Sequence, residues 1–454
     1  MVVGMIACTE QNTPVAPGSG GSGTDTTTVS PSDTTIVTTD TIGITWNGAS
    51  ATITGSHENV RVTEQNGYVT VNSTVKDISY LLSGSGQGQL TIYGTNRHQL
   101  ILSDLTLSCN DGPAINNQCK KSCFVVLAGS SSLTDGSTYA SSDEDRKAAF
   151  FSEGQMKFSG SGSLTVQGNY KHAIASDDYI QFAQSTGTLN VTANVNDGIH
   201  ANDGIFIDGG TFHITSKDEG IRTDSNTIAI TGGTIEVISQ SEGIESKGTI
   251  TISGGVVYSQ ATDDAINAGG DLTISGGCVC AYSTGNDGID ANGNCYIQGG
   301  FVYAIGASSP EVAIDANTEK GYKLYVSGGT IVALGKLESG AQLSQACYQS
   351  SSWDAETWYS ISVGDETFAF YTPKKTSSGG GFWAPGPGGG GPSGGGGPGG
   401  NSNTSLVVSG SSQPTVKKGV TATGTTIFNG MGVKEANISG GTEVTLSSYS
   451  NSGW

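Results

Sequence analysis

The sequence is poor in the things a compact globular enzyme is built from. Of its 454 residues only 35% are hydrophobic and 7% aromatic, less apolar mass than a single packed globule of this size wants. No apolar run reaches 18 residues, which excludes a bilayer-spanning helix, and no window carries an apolar stripe at helical spacing. Basic residues are scarce, 20 against 40 acids. The net charge of −20 would repel nucleic acid and anionic lipid headgroups, so neither is an expected partner. Histidine is rare, with 5 in the chain, which favours calcium over zinc as a bound ion.

Glycine, with 70 residues, and a repeat are what is present. From Asn196 a short head recurs as NDGIHAN, DEGIRTD, SEGIESK, DDAINAG, NDGIDAN and EVAIDAN, and its isoleucines Ile199, Ile221, Ile244, Ile266, Ile289 and Ile314 lie 22, 23, 22, 23 and 25 residues apart. Behind each head stands a Gly-Gly between two short apolar runs, as in IFIDGGTFHI and LYVSGGTIVA. A fixed period in this range marks a solenoid. Within one period apolar residues alternate, Ile199 and Ala201, Ile205 and Ile207, then Phe212 and Ile214, which is the strand pattern. Three short strands and three tight corners per repeat make an all-β parallel β-helix of coils about 22–25 residues long. Degraded heads at Ile115, Phe150 and Ile174 show the winding starting earlier, with TDGSTYASSDEDRKAA inserted as a polar loop.

The chain divides accordingly. Residues 1–8, ending in the lipobox-like Met5-Ile6-Ala7-Cys8, read as a truncated lipoprotein signal peptide with Cys8 as the lipidation site. Residues 9–40 read as a flexible Ser/Thr/Gly linker and 41–339 as the β-helix. Capping strands follow at 340–375, a Gly/Pro-rich low-complexity loop at 376–403, and strands packing on the helix or cap at 404–454. The localisation this implies is the cell envelope or outer surface, membrane contact being limited to the lipid anchor, and a monomer is expected.

Two columns carry the chemistry. Two residues before the head isoleucines stand Asp197, Glu219, Glu242, Asp264 and Asp287, with Asp218 and Asp263 doubling the acid in two coils. Rungs about 4.8 Å apart put like charges at a repulsion of about 3.5 kcal/mol at an effective dielectric of 20. Such a column is either solvated or bridged by cations. Oxygen-only ligands favour Ca2+, against the plain alternative that Asp-Gly and Asn-Gly simply make turns. Just after each isoleucine run His200, Arg222, Glu245, Asn267, Asp290 and Asp315, a mixed-sign column suited to a uronate chain or to plain solvation. On the strand after Gly-Gly, Tyr258 and Tyr303 are candidates to stack on sugar rings, unless residues 340–454 cover that face.

The stretches ITWNG (from Ile44), LSDLTLSCNDGPAI (from Leu102), the block from Ser132 to Asp178, the repeated coils and FYTPKK near Phe370 together resemble the bacterial carbohydrate-binding domain-containing proteins of right-handed β-helix fold, related in architecture to the family 9 pectate lyases. That resemblance implies binding of cellulose or polygalacturonate with bound calcium, and no need for catalysis. The expected function is therefore non-catalytic, calcium-dependent polysaccharide binding. The alternatives are a β-eliminating lyase, whose base would come from Arg222, Lys217 or Lys247, or a passive surface stalk without glycan affinity.

Overall fold

A computed structural model describes residues 35–38, 40–308, 310–375 and 405–450. The Cys8 lipidation site, the signal-like segment and the Gly/Pro-rich stretch lie outside the described residues. The regular elements of the described chain are almost all strands, wound into a parallel β-solenoid of about 10 turns with a small closed barrel at one end.

One coil serves for all. Ile199–Ala201 forms the head wall, Ile205–Ile207 the middle wall and Thr211–Ser216 the third wall. Each strand pairs in parallel with its copy one coil on, and the register matches the period: Ile199 faces Ile221, then Ile244, Ile266 and Ile289. Phe212, Ile235, Val257, Val279, Val302 and Ile331 stack in the same way on the third wall. These inward ladders are buried. A register slip of one residue would turn every one of them to the outside, so the alternation pins the winding.

The two glycines of each corner do different work. The second takes a positive φ at every copy, 101° at Gly210 and 79–88° at Gly233, Gly255, Gly277, Gly300 and Gly329, a conformation that penalises a Cβ. The first needs space instead. A Cβ on Gly254 would sit 2.1 Å from the Thr231 carbonyl oxygen one coil back, and on Gly276 2.3 Å from that of Ser253.

Both ends of the solenoid are closed by antiparallel pairing, which removes the open edges a stack of strands would otherwise expose. At the start, Thr41–Gly48 folds back on Ser50–Thr54, and the buried Trp46 donates its indole N–H to the Gly67 carbonyl at 2.8 Å. At the far end Leu406–Ser409 runs antiparallel along Leu324–Leu334. The capping stretch and the C-terminal stretch join into one unit, a closed barrel of Trp358–Val363, Glu366–Tyr371, Gly432–Glu443 and Thr415–Ile427.

This barrel lies across the outer side of the third wall, and that corrects the reading of two tyrosines. Tyr258 and Tyr303 are 3% and 0% exposed. Phe301 stacks on Phe368 of the barrel at 4.2 Å, the Tyr303 hydroxyl donates to the Tyr371 carbonyl at 3.0 Å, and the Tyr258 hydroxyl donates to Gln260 Oε1 at 2.7 Å. Neither ring offers a face to a sugar; both are core of the joint between solenoid and barrel. The insertion after Thr134 is a loop, but a docked one. Tyr139 stacks on Tyr170 at 4.0 Å, and Glu144 accepts from Asn116 at 3.0 Å and from the Tyr93 hydroxyl.

Candidate functional site

The outer side of the head wall is where the polar columns meet. Its strands pair His200 with Arg222, Arg222 with Glu245, Glu245 with Asn267 and Asn267 with Asp290, and a bridge from Ile289 to Ile314 carries the column on to Asp315. The acids two residues upstream bend back over the same face, because each can reach its own coil's column three positions on: Asp197 Oδ2 lies 2.7 Å from His200 Nδ1, and Glu219 Oε1 3.2 Å from Arg222 Nη1. The residues expected to hold metal and those expected to hold sugar thus belong to one surface.

That surface is drier than a solvated turn column. Asp197, Glu219, Asp264 and Asp287 are buried, and so are His200 and Glu245, which leaves Arg222, Asn267, Asp290 and Asp315 as the half-exposed members. One expected metal ligand stands apart, whereas Asp218 lies with Asp197 and Glu219, and Glu242 with Glu219 and Glu245, their ligand atoms within 4.8 Å of one another. Asp263 is exposed and accepts from the Asn286 amide at 2.7 Å, so it belongs to the neighbouring turn. Asp218 and Glu242 are half-buried, and Glu242 accepts from the Ser241 hydroxyl beside it.

Toward the N-terminal end the acids have partners. Asp197 Oδ2 lies 2.7 Å from His200 Nδ1 and 3.1 Å from His172 Nδ1. Burial works against its charge, but the two imidazoles outweigh it and hold its carboxyl well below the usual range. Arg222 reaches Glu219, Asp224 at 3.3 Å and Glu245 at 3.6 Å, and Lys247 pairs with Glu245. Glu219 is the exception, pushed up to about 9 by burial and by the Asp197 carboxylate. Toward the C-terminal end no basic side chain forms an ion pair with Asp264, Asp287, Asp290 or Asp315 among the described residues. One carboxylate oxygen from each of Asp287, Asp290 and Asp315 lies within 4.8 Å of the others. Burial, then the neighbouring carboxylates, push Asp264 up to about 8 and Asp315 to about 9, and burial pushes Asp287 to about 7. The turn reading also holds in part. Asp264 Oδ1 accepts the Asp287 backbone N–H at 2.9 Å and Asp287 Oδ1 accepts that of Val312 at 2.6 Å, so one oxygen of each ties successive coils together.

Two contributors escaped the sequence reading. His172 stands two residues before Ile174, the position that acids fill in later coils. Glu338 follows Leu337, which bridges Ile314 and extends the column by one coil; Thr318 donates to it at 2.7 Å. Both positions follow from the period, once heads without the Asp-Gly signature are counted.

The structure so far defines a parallel β-solenoid with an acidic, partly buried outer face. Residues 63–316 match the family model described as carbohydrate-binding domain-containing protein, and the chain belongs to that family. A solved structure, the polysaccharide lyase-like protein from C. thermocellum as a gadolinium derivative, aligns with 63% of this chain and 97% of its own length, at 19% identity and a TM-score of 0.41. No curated protein matches the chain.

Proposed function

We propose that the chain binds an acidic polysaccharide without cleaving it, through calcium held on the head wall. The observation that carries this is the convergence of Asp287, Asp290 and Asp315 with no cation beside them, in a member of a carbohydrate-binding family. Like charges this close, in a half-buried setting, repel by several kcal/mol at an effective dielectric near 20, and an all-oxygen donor set fits a hard dication. Asp264 and Glu338 extend the same patch on either side. Calcium supplies positive charge that an acidic protein and a uronate polymer can share. Asp290, Asp315 and Asn267 are half-exposed and so can meet a ligand lying along the wall. Display at the cell envelope, with attachment through Cys8, is part of the same proposal.

The lyase alternative needs a neutral base. Arg222 is a poor one, because the carboxylates of Glu219 and Glu245 outweigh its burial and raise its pKa above the ordinary value, and Lys247 is engaged by Glu245. Retention of the protein by immobilised polygalacturonate and by cellulose, in calcium and in EDTA, tests the reading. Polygalacturonate should retain it in calcium and release it in EDTA. Retention by neither glycan in either buffer overturns polysaccharide binding; retention indifferent to EDTA overturns the calcium part. Ultraviolet absorbance of an unsaturated sugar product would overturn the non-catalytic part.

A further inference from the structure

The geometry points to a second metal site of a different chemical class. We propose that His172, Asp197 and His200, backed by Glu219, bind a borderline divalent transition ion of the zinc type. The site is separate from the all-carboxylate group at Asp287, Asp290 and Asp315 and does not depend on the polysaccharide reading.

Three observations carry it. The first is convergence: His172 Nδ1 and His200 Nδ1 both aim at Asp197 Oδ2, at 3.1 and 2.7 Å, with the two rings stacked at 4.3 Å. A tetrahedral ion with bonds of about 2.0 Å sets its ligand atoms about 3.3 Å apart, so a small opening of this cluster accommodates one. The second is the proton inventory. His200 Nε2 lies 3.3 Å from Asp224 Oδ2. A neutral ring carries a single proton: on Nδ1 it meets Asp197 and leaves Nε2 bare beside Asp224, and on Nε2 the reverse, so one ring proton cannot serve both carboxylates. In either tautomer one ring nitrogen faces a carboxylate without a proton, a demand that a second proton or a metal ion at Nδ1 would meet. A ring nitrogen free to ligate while its mate donates to a carboxylate is the usual support for a metal-bound histidine. The third is unmet polar demand. His172 Nδ1, Asp197 Oδ1 and Glu219 Oε2 are buried with no hydrogen-bond partner, in side chains 9%, 2% and 7% exposed. Each such atom costs roughly 1–3 kcal/mol if nothing meets it.

The surroundings fit. Lys147, the nearest cation on the N-terminal side, is held by Asp177 and by Asp145 at 3.4 Å. Ala148, Phe151 and Ala175 form an apolar wall beside the histidines, which limits water at the site. Mixed imidazole and carboxylate donors select zinc-class ions over calcium.

Titration of the metal-free full chain with Co2+, followed by visible absorption, is the test. One equivalent should give ligand-field bands that Zn2+ abolishes and excess Ca2+ leaves in place. His172→Gln and His200→Gln, checked for native circular dichroism, should weaken Zn2+ binding about 100-fold or more, and Asp224→Asn about 10-fold or more. The Asp287→Asn/Asp315→Asn double variant should bind Zn2+ as the parent does. Absence of cobalt bands in the parent chain assigns the contact to a protonated histidine and overturns the proposal. So does parental Zn2+ affinity in a folded His172→Gln variant.

Discussion

The two ends of the acid column share one motif and one register, yet they are electrostatic opposites. From Asp197 to Glu245, residues His172, His200, Arg222 and Lys247 lie among the acids. From Asp264 to Asp315 the same position after the isoleucine is Asn267, Asp290 and Asp315, and among the described residues no basic side chain pairs with the carboxylates. The difference rests mainly on the position after the isoleucine, His200 and Arg222 at one end against Asp290 and Asp315 at the other, with His172 and Lys247 adding groups from neighbouring positions. Where basic or imidazole side chains stand among the acids the protein supplies partners of its own; where only Asp and Asn stand there the carboxylates face one another. A β-solenoid makes this possible because its coils share a backbone and differ only in the outward residues.

The strongest way to break this contrast is to strip the compensated end. Arg222→Ala removes the guanidinium that Glu219, Asp224 and Glu245 share. Because Arg222 is itself partly solvated, the loss is expected at about 2–3 kcal/mol, below that for a fully buried pair. It should appear as a drop of several degrees in Tm, with calcium restoring part of it. A drop below 1 °C would mean the network contributes little.

The uncompensated end should respond in the opposite sense. Asp287→Asn with Asp315→Asn removes the repulsion, so in EDTA the variant should melt about 2–5 °C above the parent, and the calcium shift of the parent should vanish. An undiminished calcium shift in the double variant would place the ion elsewhere.

The smallest effect is on pH dependence. Asp264, Asp287 and Asp315 hold protons in the folded chain up to about 8, 7 and 9, whereas the unfolded chain releases them near about 3.9. Folded pKa values above unfolded ones mean the protonated groups favour the fold most below about pH 4, and that contribution is lost as pH rises through about 7–9. In EDTA, Tm should therefore fall from about pH 4 and level off at about 7–9, and calcium should flatten the decline. Equal slopes with and without calcium would separate the metal from these carboxylates.

Much of the site was legible in the chain because a solenoid turns sequence period into spatial adjacency. Ile199 to Ile314 dictate the stacking, and stacking places Asp197 above Glu219 and Asp290 above Asp315. His172 and Glu338 were hidden only by weaker heads. Burial was not legible: whether Asp264 is wet depends on the residues of adjacent coils folding over it. Tyr258 and Tyr303 illustrate the limit more sharply, since the groups they meet, Met431 and Tyr371, stand 173 and 68 residues away and obey no period.

The alternation of Ile199, Ala201, Ile205 and Ile207, with paired glycines at each corner, was enough by itself to determine a parallel β-helix, because only inward-facing aliphatics in register can bury themselves rung on rung. The tertiary structure decided which acids are paired, which are left uncompensated, and which aromatic face is core. Those outcomes depend on desolvation and on contacts between segments distant in the chain, and local pattern carries neither.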